Sequence, residues 1–470
     1  MSGFSFGTQL IYVLAASCFV LGLHLMNTPA TARRGNQFSV AGMTIAVVTT
    51  LALIIHADVI SATGWIVMLA GVLIGGGLGL YAARTVQMTA MPQLVSMFNA
   101  VGGGAAALVA IHDYIRLAGD VSGVAEATTI TTLLDVIIGA VTFSGSIIAA
   151  GKLQGVITSA PVTFPGARLV NLLLAAIGLA AGGYVIATPS LPALWIVIVA
   201  ALAFGVSMVM PIGGADMPVV ISLLNAFTGT AVAMAGFVIN NWALIIAGAL
   251  VGASGGILTK LMADAMNRSI GNIIVGGFGT GDSAAITAAA PGAGVRSIAS
   301  DDAAIQLAYA SKVIIVPGYG LAAAQAQHEL AELARLLEER GVDVSYAIHP
   351  VAGRMPGHMN VLLAEANVPY PLLKEMEEIN PEFPRADVAL VVGANDVTNP
   401  AARRPGTAIS GMPILDVDQA KSIIVIKRSM GTGYAGIDNE LYADPKTSMY
   451  FADAKTALAE LTSAVKAYVG

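Results

Sequence analysis

Charge is what this chain of 470 residues lacks most: only 11% of its side chains are charged, against roughly 25% in soluble proteins. Cysteine is rarer still. The single Cys18 sits inside an apolar run, which excludes a disulfide scaffold and argues against thiol chemistry. Basic residues are also in short supply: 23 Lys and Arg against 29 Asp and Glu leave a net charge of −6, and no basic surface suited to nucleic acid.

What charge there is falls unevenly. Residues 1–270 hold 8 Lys/Arg and 7 Asp/Glu, whereas residues 271–470 hold 15 and 22. That step marks a membrane half followed by a soluble half. Apolar runs long enough to cross a bilayer recur near 7–26, 38–55, 63–83, 88–111, 128–150, 169–187, 193–210, 217–237 and 242–262. The first could be mistaken for a signal peptide, since Ala30-Thr31-Ala32 resembles a cleavage site. No Lys or Arg precedes it, however, and Arg33-Arg34 follow it as a stop-transfer signal would, so a retained span is expected.

Nine spans put the termini on opposite sides. With the C-terminus in the cytoplasm, the cytoplasmic connections hold Arg33, Arg34, Arg84, Lys152, Arg168, Lys260 and Arg268, and the outer ones only Arg116. The positive-inside rule selects that orientation. The spans are rich in glycine, as at Gly75-Gly76-Gly77 and Gly102-Gly103-Gly104, which lets helix backbones approach closely in lipid.

Polar groups inside apolar runs are costly unless paired or wetted. Asn99, Asp135, Ser144, Ser146 and Asn225 are such groups, with Asp216 at the cytoplasmic mouth of the eighth run; together they suggest a polar path through the bundle. None of the six histidines lies deep in a run. A proton relay made by this chain alone would lack a mid-membrane group titrating near neutral pH.

Residues 271–300 are rich in Gly, Ala and Ser. Gly277-Phe278-Gly279-Thr280-Gly281 follows no clean strand, so a hinge is expected there. From residue 301 strands and amphipathic helices alternate. Strands are expected near 312–316, 343–348, 386–392, 412–416 and 422–427, and helices over about 321–340, capped by Gly341, and 449–468. This rhythm implies a Rossmann-like α/β domain with a parallel, doubly wound sheet. The expected organisation is a transmembrane domain over 1–265, a linker over 266–300 and a nucleotide-binding domain over 301–470.

Directly after the first strand stand Gly318-Tyr319-Gly320-Leu321-Ala322-Ala323. This GxGxxA pattern suits a tight turn, close backbone approach to phosphate, and packing of helix on strand at Ala323. The second strand ends Tyr346-Ala347-Ile348-His349-Pro350, without the acid that an NAD-selective site uses on the ribose 2′-hydroxyl; Asp343 lies at the wrong end. Lys427-Arg428-Ser429 instead end a later strand. Two cations and a hydroxyl suit a dianionic phosphate, which favours NADP. A solvated surface pair is the competing reading of those cations.

Longer segments carry a resemblance. They are Pro317-Gly318-Tyr319-Gly320 with Ala324-Gln325-Ala326-Gln327, His349 through Asn360, Gly393-Ala394-Asn395-Asp396 through Asn399-Pro400, and Lys427-Arg428-Ser429-Met430 with Gly433-Tyr434-Ala435-Gly436. Met91-Pro92 and Met217 through Ser222 extend the match into the spans. The chain resembles the β subunit of proton-translocating nicotinamide nucleotide transhydrogenases over nearly its full length. The resemblance implies an enzyme that couples hydride transfer between NAD(H) and NADP(H) to proton movement.

It implies that Tyr319 and Gly320 touch NADP(H), that Arg354 and the loop Val351-Ala352-Gly353-Arg354-Met355-Pro356 approach the pyrophosphate, and that Lys427, Arg428 and Ser429 hold the 2′-phosphate. Asp396, with Gly393, Ala394, Asn395 and Val397, would lie near the nicotinamide. Met430, Gly431, Tyr434, Ala435, Gly436 and Ile437 would belong to a lid. The family binds NADP in a flipped orientation, so ordinary glycine-to-phosphate assignments need not transfer. Asn225, Asp216 and Ser146 would serve proton movement. Some members have a histidine where this chain has Asn99, so a partner helix would supply the missing titrating group. NAD(H) would bind a separate α subunit with further membrane helices, two such assemblies would pair, and the complex would sit in the bacterial inner membrane.

Two other readings share the span-plus-Rossmann layout. A nucleotide-gated transporter or channel would show a filter-like loop or an inverted repeat, and neither is seen in the sequence. A stand-alone NADPH reductase would need a flavin, haem or metal site, yet the sequence has no cysteine cluster and no paired mid-span histidines.

Overall fold

The computed structural model describes residues 3–58, 60–118, 126–158, 162, 166–213, 216–265, 270–271, 294–355, 357–405, 407, 409–433 and 435–468. The chain divides into two compact units, one drawn mainly from each half. The glycine-rich stretch at 277–281, Arg268, Pro356 and Tyr434 lie outside the described residues.

Among the described residues the first unit has nine helices long and apolar enough to cross a membrane. They are α1 (Gly3–Leu25), α2 (Pro29–Ala57), α3 (Ala62–Thr85), α4 (Met91–Ala118), α5 (Glu126–Gln154), α6 (Ala167–Ala187), α7 (Leu191–Val209), α8 (Met217–Val238) and α9 (Trp242–Ala265). Most outrun the apolar stretches that announce them, because polar residues at a span's ends continue the backbone ladder in the interfacial layers. Helix α5 packs on α4, α7 and α8, α4 also packs on α8, α1 packs on α2, and α6 on α7. Helix α3 has no buried residue.

Small residues set the closest approaches. A Cβ on Gly139 of α5 would lie 2.6 Å from the Gly103 carbonyl of α4, and one on Gly248 of α9 would lie 2.6 Å from that of Gly229 of α8. Without side chains there, the helices meet backbone to backbone. Lys152, just beyond the fifth run in the last turn of α5, is wholly buried. Its Nζ donates to the carbonyls of Met210 (2.5 Å) and Ile212 (2.7 Å), beyond the C-terminus of α7, where a cation is favoured.

In the second unit, residues 296–298 bond to Met449, and α10 (Ser300–Ala308) follows them. A six-stranded, all-parallel sheet follows in the order β3-β2-β1-β4-β5-β6. The strands are β1 (Lys312–Pro317), β2 (Asp343–Ile348), β3 (Leu373–Glu375), β4 (Val388–Val392), β5 (Ser422–Lys427) and β6 (Thr447–Phe451). Strands β1, β4 and β5 are apolar almost throughout and buried, as a sheet covered on both faces requires. This is the doubly wound order, with its topological switch point between β1 and β4.

Four expectations need correction. The helix expected over 321–340 is two helices, α11 (Tyr319–Ala323) and α12 (Gln327–Glu338). Gln325 between them adopts φ 52°, a left-handed conformation that ends a helix. Residues 412–416 form no strand: Pro413 has no N–H to give a ladder, and its carbonyl bonds His349 instead. Residues 449–451 belong to β6, and the last helix, α14 (Ala454–Ala467), starts later, with Asp453 capping it. Strand β3 was not expected. Helix α13 (His358–Glu365) lies between β2 and β3.

Candidate functional site

The parallel sheet puts the C-terminal ends of all six strands on one edge, and the loops leaving β1 and β4 part at the switch point. These two loops are in backbone contact. Gly318 N–H donates to the Val392 carbonyl and Gly320 N–H to the Gly393 carbonyl, both at 2.9 Å. A Cβ on Gly320 would lie 2.6 Å from Gly393 Cα, and Gly393 itself has φ 69°. The glycines of the fingerprint therefore serve loop-to-loop packing, and their amides are already engaged. Leu321 and Ala322 are the buried residues of α11, and Ala323 is exposed.

The loop after β2 is fastened by two histidines. His349 is buried; its Nε2 bonds the Pro413 carbonyl (2.8 Å) and its Nδ1 accepts from Val351 N–H (3.2 Å). Burial pushes its pKa down to about 4, although the bond to Pro413 opposes this. His358, also buried, accepts the Arg354 N–H on Nδ1 at 3.0 Å. Burial, and then the Arg354 guanidinium, hold it at about 4. A ring nitrogen that accepts in a neutral imidazole leaves the proton on the other one, so the proton belongs on Nε2 in both rings. Gly353 (φ 104°) packs against the His358 ring. Arg354 thereby reaches across to the β1 loop, where its guanidinium lies 4.3 Å from the Tyr319 ring centroid.

After β5, Lys427 is half-buried while Arg428, Ser429 and Met430 are exposed. Burial lowers the Lys427 pKa, and the Asp396 and Asp438 carboxylates oppose that shift. The Lys427 ammonium stands 4.8 Å from the Tyr442 ring centroid and donates to the Gly431 carbonyl. Asp396, at the tip of the β4 loop, accepts the Ala435 N–H at 3.0 Å, and a Cβ on Gly433 would run into its carboxylate. Asn439 Nδ2 bonds the Asn395 carbonyl (3.0 Å), and Asn399 Nδ2 bonds that of Asp438 (3.0 Å). The segment after β5 is thus tied down over the β4 loop. Asn439, which the sequence did not single out, and Asn399, which it marked only as part of a motif, make those ties.

Asn395 Oδ1 and His358 Nε2 are among the buried polar atoms of this region that have no hydrogen-bond partner among the described residues. Together with Arg354, Lys427 and Arg428 they offer an acceptor, a donor and three cations to a polyanionic, polar ligand. A cavity of about 720 Å³ lined by Met376, Asn380 and residues of 402–416 shares no residue with these loops. Its arginines are engaged, Arg403 with Asp416 and Asp418 and Arg404 with Glu440.

In the first unit, three residues from three helices meet. Asn99 of α4 donates through Nδ2 to Ser146 Oγ of α5 (3.0 Å) and accepts through Oδ1 from Thr228 Oγ1 of α8 (2.7 Å). Ser96 Oγ donates to the Ser146 carbonyl at 2.8 Å. Thr228 and Ser96 were missed: a hydroxyl on an apolar helix usually bonds its own backbone, and the sequence gives no sign of an interhelical bond. Asn225, one turn before Thr228, is exposed and takes no part in the cluster. Asp216 is buried at the start of α8, and Ser144 returns its hydroxyl to the Ala140 carbonyl. Asp135 is wholly buried, and neither carboxyl oxygen has a hydrogen-bond partner among the described residues.

A multi-span unit and a doubly wound nucleotide fold in one chain match a known family. The model of the NAD(P) transhydrogenase beta subunit matches residues 8–464. The chain belongs to that family. It is 49% identical over 464 residues to the NAD(P) transhydrogenase subunit beta of Rhodospirillum rubrum, covering 97% of this chain and 99% of the relative; a second sequence of the same name and species matches equally. NADP(H) binding and proton translocation are the family's work, and a beta subunit implies an alpha subunit beside it.

Proposed function

We propose that the loops at the β1–β4 switch point hold NADP(H), and that the Asn99–Ser146–Thr228 cluster lies on the proton path through the membrane unit. The observation that carries the first part is the convergence of Arg354, Lys427 and Arg428 on one sheet edge. No carboxylate stands at the tip of β2 to receive a ribose 2′-hydroxyl. Lys427, Arg428 and Ser429 bind the 2′-phosphate. Arg354 leaves or keeps its seat on Tyr319 to meet the pyrophosphate, with Val351 through Pro356 around it. Gly318, Tyr319, Gly320 and Ala323 form the floor, Gly393 through Val397 the nicotinamide end, and Gly431 through Ile437 the lid.

When bound, the nicotinamide ring accepts or gives the hydride, and no protein nucleophile is needed. The protein's share is to bind, to orient and to keep water out. A single dinucleotide fold is found among the described residues, so the NAD(H) site belongs to the alpha subunit, which also brings the titrating group that Asn99 cannot be. Asp216 and Asn225 contribute to proton movement at the mouth of α8 and on its exposed face. Seven basic residues on the inner connections against one on the outer support a C-terminal domain on the cytoplasmic side of a bacterial inner membrane, with the N-terminus outside. The domains divide at about residues 265 and 300. Two such assemblies pair, and protonation and NADP(H) affinity change together, as linkage requires.

The test compares the purified chain with the chain plus its alpha subunit, both in vesicles. The chain alone should bind NADPH yet transfer no hydride from NADH to NADP above background, while the complex should do so and move protons. Robust turnover by the chain alone would overturn the division of labour.

A further inference from the structure

Of the wholly buried ionisable groups that the reading above leaves unused, Asp135 is one without a hydrogen-bond partner among the described residues. Counting along α5, Asp135, Gly139, Thr142 and Ser146 follow at i, i+4, i+7 and i+11, which lines them up on one face of the helix. That face meets α4. At one end Ser146 takes its bonds from Asn99 and Ser96. At the middle, a Cβ on Gly103 of α4 would lie 2.9 Å from Thr142 Cβ and 3.2 Å from the Gly139 carbonyl. A Cβ on Gly139 would lie 2.6 Å from the Gly103 carbonyl. The helices therefore touch through backbone at Gly103–Gly139, a tight neck. Asp135 lies one turn beyond that neck, and about 16 Å along α5 from Ser146 at 1.5 Å per residue.

Asp135 has no exposed surface, and among the described residues neither carboxyl oxygen has a hydrogen-bond partner. Thr142 Oγ1, on the other side of the neck, is likewise buried and without a partner among the described residues. Helix α5 packs on α4, α7 and α8 and touches α6. Helices α7 and α8 carry no ionisable side chain. Helix α4 carries His112, Asp113, Tyr114 and Arg116, and α6 carries Arg168 and Tyr184. Asp113 pairs with Arg116, and the Tyr114 hydroxyl accepts the Ser190 N–H. None of them bonds Asp135. An intramembrane carboxyl that faces the helix bundle without a structural partner is a functional group by default, because a fixed charge there goes uncompensated whereas a proton-bearing carboxyl does not.

We infer that Asp135 is a second proton-holding site, separated from the Asn99–Ser146–Thr228 cluster by the Gly103–Gly139 neck, and that protons reach or leave that cluster by way of its carboxyl. The inference rests on the proton-conducting reading of the cluster. Each proton that Asp135 takes up comes from a water that becomes hydroxide or a hydronium that becomes water, each that it gives up forms an O–H bond on such an acceptor, and opening of the neck connects it with Thr142 and Ser146. In the proposed orientation it serves the outer half of the path, since α5 starts on the outer side.

The experiment uses the complex with its alpha subunit in vesicles, with proton uptake followed by a pH-sensitive dye and NADPH binding measured alongside. Pumping by the unaltered complex tests the reading on which this rests; its absence would remove that reading. Given pumping, Asp135→Asn should lower it at least tenfold with NADPH affinity unchanged, and Asp135→Glu should restore a large part. A merely structural role would be met by the isosteric asparagine, so Asp135→Asn pumping at the unaltered rate would overturn the inference. Should neither variant assemble, the unaltered complex is treated with dicyclohexylcarbodiimide, which adds to proton-bearing carboxyls in apolar surroundings. Loss of pumping with an adduct on Asp135 in the peptide map is expected, and full loss with Asp135 unmodified would equally overturn it.

Discussion

The two halves of this chain build polar sites by opposite means. At the sheet edge the backbone does most of the construction: Gly318, Gly320 and Gly393 bring two loops into contact, and side chains are hung on that frame. In the helix bundle the backbone is engaged in its own ladders, so Asn99, Ser146 and Thr228 must build the site from side chains alone. A backbone-made site tolerates changes of surface side chain and fails when a glycine gains a Cβ. A side-chain-made site fails when a single amide or hydroxyl is lost, because the partners left behind have no water to turn to.

Three experiments test that contrast, in order of expected effect. Asn99→Leu removes two interhelical bonds at once and should cut proton pumping by the complex tenfold or more, with NADPH binding to the chain unchanged; pumping at the normal rate would show the cluster to be packing only. Gly393→Ala forces a left-handed alanine, at about 1–2 kcal/mol, and drives a Cβ into Gly320. NADPH affinity, measured by titration, should fall about tenfold, whereas Ser429→Ala on the exposed edge should change it only a few-fold. If the two substitutions weaken binding alike, the backbone-made reading of the sheet edge is wrong.

The smallest effect concerns pH. His349 and His358 are held at about 4 against an ordinary 6.5, so on acidification the unfolded loop takes up protons before the folded one. Their contribution is complete above about pH 6.5 and is lost progressively towards about pH 4, with an upper bound of roughly 3 kcal/mol for each ring. Amide exchange of residues 349–358 in the full chain, corrected for its intrinsic pH dependence, should rise a few-fold between pH 7 and pH 5 while β1 and β4 stay protected. Uniform behaviour across the domain would count against the histidine fastening.

The same contrast governs what could be read from the sequence. Strands β1, β2, β4 and β5 are β-branched or apolar runs between turn residues, and all four were legible. Strand β3 is Leu-Lys-Glu, too short and polar to stand out, and β6 was absorbed into the helix that follows it. Met412 through Asp416 mimics a strand, but Pro413 bonds outward to His349. The left-handed turn at Gln325 has no signature, since glutamine seldom adopts it. At the site, motifs marked the glycines and cations, yet not the ties from Asn399 and Asn439, which link segments 39 and 44 residues apart. In the bundle, Asn99 and Ser146 were visible as polar residues in apolar runs, but their bond crosses 47 positions that no periodicity connects.

The most direct test of the NADP(H) site is a paired titration of the full chain in lipid nanodiscs with NADPH and NADH, repeated on Lys427→Ala/Arg428→Ala. Charge-assisted bonds to a phosphate are worth about 1.5–3 kcal/mol each, so NADPH should bind at least tenfold more tightly than NADH, and that preference should collapse in the double variant. Equal binding of the two nucleotides by the unaltered chain, or a preference that survives loss of both cations, would contradict it.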